Sequence, residues 1–313
     1  MRKFLSLILV FLLLCGSSFA DPVTYGSVSA DPGAEYIDLG DQTVKDYNKL
    51  ISFLRQFPDL KKVDMYATQI TEDKVNLLVE AFPEVEFGWT LQMMRYHIIR
   101  SDAVAYSTLH GKHPNHSSRE FSLLKYCTKL LALDLGHNNL TDISFLRSMP
   151  HLRVLIFGEN QKLQNIEEIA SLPELEYLEL FTCGIVDISP LTKLTRLMDL
   201  NLANNKVQDW RPLKEMTWLK RLWISGMCAK AMTAAEKQEL RNALPDTEIM
   251  FTGQPTDNGW RKLSDGSRAP HYDIVYRIFQ TGQYIPFEES APLTDEDPFL
   301  VFGEIETEEM NGQ

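Results

Sequence analysis

From residue 130 onward the apolar positions follow a spacing that suits neither a lone helix nor a lone strand. The arrangement Leu-x-x-Leu-x-Leu-x-x-Asn begins at Leu130, Leu152, Leu175 and Leu197, with a fifth start at Leu219, at steps of 22, 23, 22 and 22 residues. The step of two inside each unit fits a short strand, whose side chains alternate between faces. It points Leu133/Leu135, Leu155/Phe157, Leu178/Leu180, Leu200/Leu202 and Leu222/Ile224 inward. Asn138, Asn160 and Asn205 stand where the chain leaves the strand, with Cys183 as the variant. An amide there can bond backbone groups that stacked turns leave unpaired. In the fifth unit Met227 holds this place and the pattern dissolves. The stretches "TDISFL", "QNIEEI", "VDISPL" and "QDWRPL" are short return segments.

One such unit cannot bury its apolar face alone, so neighbours stack into a solenoid. A period of this length with this signature is that of leucine-rich repeats. The predicted fold class is α/β: a curved leucine-rich-repeat solenoid, roughly nine repeats with degenerate ones counted, with a parallel β-sheet on the concave face and short helices or turns on the convex face. The repeats of about 22 residues occupy 130–228.

Upstream, residues 35–87 form looser, helix-bearing repeats. Strands are expected near Ile37/Leu39, Val63/Met65 and Val85/Phe87, with helices from Val44 to Phe57 and from Glu72 to Phe82, where apolar residues recur at three and four. Thr71 can start the second helix. Residues 21–34 read as a short linker. An irregular insertion spans 88–129, with one or two extended segments, and Ser117-x-x-Glu120 is a capping box opening a helix through Cys127. Downstream, a helix in "TAAEKQELRNAL" and a strand in "PDTEIMF" form a C-terminal cap over 229–253. In the extension 254–287, Tyr272 to Phe279 reads as a short helix packed on that cap through Ile274, Val275, Ile278 and Phe279. The tail 288–313 is acidic and expected to be mobile.

The first twenty residues, "MRKFLSLILVFLLLCGSSFA", pair Arg2 and Lys3 with an apolar run and small residues around Phe19. This is a secretory signal peptide, expected to be cleaved after Ala20, and its apolar run is too short for a typical spanning helix. Cys15 in "LCGSS" raises the alternative of a lipid anchor. No other stretch could span a membrane. Without the leader the chain carries 29 basic and 43 acidic residues, a formal net charge of −14, which argues against a nucleic-acid partner. Cys127, Cys183 and Cys228 remain, an odd number best read as buried free thiols.

The chain resembles bacterial secreted proteins of the internalin-like class, on its "LxxLxLxxN" strands and "TDISFL"/"DISPL" segments. The blocks "FGWTL", "RSDAVAYSTLH", "LLKYCTKLLALDLGHNNLTDISFL" and "GWR…YDIVYRIFQTGQYIPF" are similar to uncharacterised leucine-rich-repeat proteins of gut Firmicutes. The resemblance implies a surface or secreted binding protein, with no catalytic motif and no cofactor to carry over. Internalins often carry a wall-sorting signal or wall-binding repeats, and neither is seen in this sequence.

Strand residues between the inward leucines form three columns on the concave face. The middle one is Asp64, Asp134, Ile156, Glu179, Asn201 and Trp223; before it run Lys62, Ala132, Val154, Tyr177, Asp199 and Arg221; after it run Tyr66, Gly136, Gly158, Phe181, Ala203 and Ser225. Tyr66, Asp134, Tyr177, Glu179, Phe181, Asp199, Asn201, Arg221 and Trp223 are the candidate ligand-binding residues. Aromatic anchors beside carboxylates suit a protein partner, and a glycan stacked on Tyr177 and Trp223 is the alternative. A lipid-anchored structural protein of the envelope is a third reading. His110, His113 and His116, with His137, could suggest a metal, but nothing completes a ligand spacing. Asp134 with Glu179, and Ser267 with His271, are weak candidates for hydrolysis, with no nucleophile elbow. The expected activity is binding without catalysis.

Overall fold

The computed structural model describes residues 21–94, 97–108, 115–257 and 259–287. The leader with Cys15, His110, His113 and the tail 288–313 lie outside the described residues.

The chain opens with a β-hairpin, β1 (Val23–Tyr25) and β2 (Val28–Ala30), where a linker was expected. Apolar cover explains it: the Tyr25 ring rests 5.3 Å from that of Phe53 in α1 (Tyr47–Leu54). Three strands follow in parallel, β3 (Tyr36–Asp38), β4 (Lys62–Ile70) and β5 (Glu86–Met94), with α1 and α2 (Glu72–Ala81) as crossovers. Asp46 caps α1 by accepting from the Asn48 and Lys49 amides, so the helix starts later than its apolar pattern, which reaches back to Val44. Thr71 is the N-cap residue of α2 but makes no side-chain cap bond.

β6 (His97–Arg100) then pairs antiparallel with β5 and ends this four-stranded sheet. With its outer edge taken by an antiparallel strand, the first sheet cannot be extended by the next repeat. A second sheet of seven parallel strands begins instead at β7 (Ala105–Ser107). It continues through β8 (Ala132–Asp134), β9 (Val154–Ile156), β10 (Tyr177–Glu179), β11 (Asp199–Asn201) and β12 (Arg221–Trp223). After α3 (Met227–Ala231) and α4 (Ala234–Ala243) it closes with β13 (Glu248–Met250). The return segments are single 3₁₀ turns: Ser144–Ser148, Glu167–Ser171, Ser189–Lys193 and Arg211–Glu215. The segment Ser118–Tyr126 is also 3₁₀ rather than α-helical, although its Ser117/Glu120 capping box forms.

Two periodic devices hold the units in register. The first is a column of left-handed residues, His137, Glu159, Thr182, Asn204 and Gly226, one per unit, that swing the chain out of each strand. Four are not glycine, so each costs backbone strain that the stack must outweigh. The second is a polar ladder in the next position. Asn160 donates to the Leu135 and Phe157 carbonyls and accepts from the Leu140 amide; Asn205 donates to Leu180 and Leu202 and accepts from Ile185. Cys183 substitutes by donating its thiol to the Phe157 carbonyl at 3.4 Å. In the fifth unit Cys228, not Met227, takes the place, with its thiol 3.2 Å from the Leu202 carbonyl; Met227 is exposed. Burial pushes the Cys183 thiol up to about 12 and the Cys228 thiol to about 11, so both stay protonated and able to donate.

Beneath the sheets the leucines form one continuous apolar core. A buried leucine contributes about 1.5–3 kcal/mol, so losing one column position weakens its own unit and the neighbours stacked on it. A second apolar cluster lies on the opposite, concave side of the seven-stranded sheet.

Candidate functional site

The strand registers reproduce the sequence columns. Ser107, Asp134, Ile156, Glu179, Asn201, Trp223 and Met250 lie side by side, as do Ala105, Ala132, Val154, Tyr177, Asp199, Arg221 and Glu248. Tyr66 does not join them, because β4 belongs to the other sheet. There it is half-buried beneath Arg100, whose guanidinium sits 3.8 Å from the ring centre. Burial and the Asp102 carboxylate raise its phenol to about 12.

The columns were expected to face solvent, and on the seven-stranded sheet they do not. Tyr177, Glu179, Asp199, Asn201 and Trp223 are 0 % exposed, with Asp134, Phe181 and Arg221 at 4 %, 5 % and 8 %. The cover is the chain's own C-terminal segment. After the exposed stretch Thr252–Gln254, which includes the left-handed Gly253, the chain doubles back across the concave face. It then runs into α5 (Pro270–Thr281), which packs over β7 and β8. The helix therefore does not pack on the C-terminal cap. Its stripe Ile274, Val275 and Ile278 is buried with Ala132, Val154 and Ile156 of the concave strands. The helix ends at left-handed Gly282, where a side chain would run into Val104.

The contacts under this cover are ordered around two carboxylates. Glu179 takes both prongs of Arg261, one at 2.9 Å, and accepts the Trp260 indole N–H at 2.7 Å and the Tyr177 hydroxyl. The Trp260 ring lies between Tyr177, 5.3 Å away, and Trp223, 5.1 Å away. Asp199 accepts from Arg221 at 3.0 Å and meets His271 Nδ1 at 2.8 Å. Arg221 also donates to the Gly259 carbonyl at 2.9 Å and lies 4.6 Å from the Trp260 ring centre. Asn201 donates to the Pro255 carbonyl at 2.7 Å. At the far side Phe287 stacks on Tyr177, and Tyr284 donates to Glu176 at 2.9 Å. Gly158 is small for a reason: a side chain there would strike the Phe181 ring, which faces Arg261 at 5.6 Å.

The electrostatics follow from burial and pairing. Burial opposes the charge of Arg261, but the Glu179 carboxylate outweighs it and holds the guanidinium well above its usual value. Asp199 overrides burial in the same way for Arg221. Burial first, then Glu179, drives the Tyr177 phenol well above its ordinary value. Asp134, fully enclosed, is pushed up to about 6 by burial, against the Gly136 amide that bonds it at 2.9 Å.

The weaker sequence candidates separate. Ser267 bonds Asp265 while His271 bonds Asp199, so the two belong to different pairs. Asp134 and Glu179 lie two strands apart with Ile156 between them. His116 faces Glu120 at 3.2 Å and His137 is the left-handed residue of its unit. Among the described residues no group of three metal-binding side chains comes together. The residues that reasoning from sequence missed are Trp260, Arg261, Tyr284 and Phe287, while His271 was weighed only as a partner for Ser267 and bonds Asp199 instead. Their signal was present: an aromatic–basic pair and an amphipathic helix in a segment with no repeat of its own to cover.

Comparison with known proteins agrees on the repeats. The family described as Leucine Rich repeats (2 copies) matches residues 128–171. Leucine-rich repeat-containing protein 4B of Mus musculus is 39 % identical over 74 residues, covering 22 % of this chain and 10 % of that protein. The disease resistance protein RPS5 of Arabidopsis thaliana is 42 % identical over 82 residues, 25 % of this chain and 9 % of that one. The chain thus spans about a tenth of the length of the curated relatives it matches. Among solved structures, an internalin C2 of Listeria monocytogenes gives a TM-score of 0.34 at 21 % identity, covering 50 % of this chain and 76 % of that one. A second Listeria monocytogenes internalin, InlF, gives 0.33 at 17 %, covering 71 % and 68 %. With residues 128–171 carrying the repeat signature and seven parallel strands stacked by it, the chain is a leucine-rich-repeat solenoid.

Proposed function

We propose that this chain is an exported, non-catalytic scaffold that binds a protein partner through the concave side of its solenoid. The observation that carries this reading is the occupancy of that side. The seven-stranded sheet already holds a polypeptide, residues 259–287 of its own chain, through a two-pronged arginine, a slotted indole and an apolar helix face. These are the anchors by which proteins recognise proteins. The glycan reading is less well supported, since the rings it would need, Tyr177 and Trp223, are packed against Trp260. Export rests on the leader, with cleavage after Ala20 or a lipid anchor on Cys15 as its two forms.

The test is capture from cell-surface extracts by immobilised protein of residues 21–313, beside variants Trp223→Ala and Tyr66→Ala. A protein retained by the native chain and lost on Trp223→Ala supports the assignment. Retention unaffected by Trp223→Ala, or binding on a glycan array with no protein retained, overturns it. Mass spectrometry of the purified native product distinguishes a chain starting at Asp21 from one lipidated at Cys15.

A further inference from the structure

We propose that residues 259–287 are a detachable closure, an intramolecular ligand that holds the concave face shut, and that the face beneath it is a recognition site for a protein segment carrying an adjacent tryptophan and arginine. This rests on the protein-binding reading above and names the partner's chemistry.

Three features separate this closure from an ordinary part of the core. First, it lies on the opposite side of the sheet from the continuous leucine core. Lifting it away leaves the leucine core of every repeat and the asparagine–cysteine ladder intact. Its tether is the exposed stretch Thr252–Gln254 with left-handed Gly253, where backbone rotation displaces nothing buried.

Second, the face beneath it is too polar for a permanent core. Asp134, Glu179, Asp199, Asn201 and Arg221 are all buried there. A buried ion pair gives little net stability over apolar residues of the same volume, whereas complementary charge across an interface discriminates between partners. Uncovering the face would also expose Ala132, Val154, Ile156, Tyr177 and Trp223, an apolar patch that calls for another occupant. Trp223 is completely buried yet its indole N–H has no hydrogen-bond partner, so the closure does not satisfy every donor the face presents.

Third, the fit has the grammar of ligand recognition. Glu179 reads the guanidinium by two parallel bonds, which only arginine supplies. Tyr177 and Trp223 flank the indole of Trp260 while the same Glu179 accepts its N–H. Arg221 clamps the backbone at Gly259 and Trp260. One carboxylate therefore reads two consecutive side chains of one segment.

Hydrogen exchange on the protein of residues 21–313 tests the closure. Residues 259–287 are expected to exchange as a block ahead of residues 130–228. Arg261→Ala should speed that block by roughly a hundredfold to a few thousandfold, with the repeats unchanged. Exchange of both regions together, in native and variant alike, overturns the closure. A labelled synthetic peptide of residues 259–287 tests the recognition. It should bind the Arg261→Ala chain saturably, and peptides carrying Trp260→Ala or Arg261→Lys should bind at least tenfold more weakly. No saturable binding, or equal binding by all three peptides, overturns the recognition site. The two readings fail separately. Peptide binding with no protein ever retained sinks the scaffold, whereas a protein retained on the concave face while residues 259–287 stay protected sinks the closure.

Discussion

Arg261 reaches back 82 positions to close a two-pronged ion pair on Glu179, a side chain with no exposure to solvent. Glu179 comes from a repeat strand and Arg261 from a segment outside the repeats, so the pair joins two parts of the chain that fold by different rules. Arg261→Met leaves Glu179 as an uncompensated buried charge. The closed state should then lose about 3–5 kcal/mol. Adding Glu179→Gln should recover most of that, since the amide oxygen still accepts from Tyr177 and Trp260 without a charge. A urea titration following tryptophan fluorescence, to which Trp223 and Trp260 contribute from the closure contact itself, reads both. A double variant no better than Arg261→Met would show that the buried charge is not the dominant cost.

Asp134 gives the protein a pH dependence of unusual sign. Burial pushes its carboxyl up to about 6, above the value of about 3.9 in an unfolded chain. Between these values the folded state binds more protons than the unfolded one, so stability falls as pH rises. The loss begins near pH 4 and is complete above about pH 6. Asp134→Asn should abolish this slope and stabilise the protein at pH 7 by roughly 3 kcal/mol. Melting curves from pH 4 to 8 check it; a variant that keeps the native slope would place the titration elsewhere.

The left-handed column predicts opposite effects for two substitutions of a kind. Thr182 is β-branched at φ 53°, a strained place for such a residue, and Thr182→Gly should raise stability by about 1 kcal/mol. Gly226, the equivalent residue of the fifth unit, has φ 73°, and a side chain there would run into Asn204. Gly226→Ala should therefore cost more than about 1 kcal/mol. Chemical denaturation of the pair decides whether this column is strained.

The ladder makes a prediction about chemistry rather than shape. Asn160→Ala strands the Leu140 amide and removes the amide's bonds to two carbonyls in a wholly buried place. The cost should be about 2–4 kcal/mol, since each abandoned buried group costs about 1–3. Cys183→Ser keeps a donor in the ladder and should cost less than Cys183→Ala. The reverse order, in thermal melts under reducing conditions, would show that the thiol acts only as apolar filling.

Much of the architecture was legible because the repeat makes it local. The step of two names the strand faces, and the unit length names which residues become neighbours, so Tyr177 beside Asp199 and Glu179 beside Asn201 followed from counting alone. The same counting failed where the repeat is broken. Tyr66 was assigned to a column it never joins, because antiparallel β6 interrupts the sheet, and strand direction is not written in apolar spacing. Cys228 rather than Met227 holds the fifth ladder place because the chain turns at Gly226 and starts α3 directly.

Counting along the chain was therefore enough for the solenoid: a periodic pattern dictates periodic burial, and the side chains between the leucines must share one face. Whether that face meets water was settled only when the chain folded back on itself. The amphipathic helix at Ile274, Val275 and Ile278 announced that it needed cover, and the aromatic residues Tyr177 and Trp223 did the same. An apolar surface specifies its need for a partner but not the partner's identity. That choice was made by the length of the tether at Thr252–Gln254, by the direction in which Gly253 turns it, and by Glu179 standing where Trp260 and Arg261 arrive.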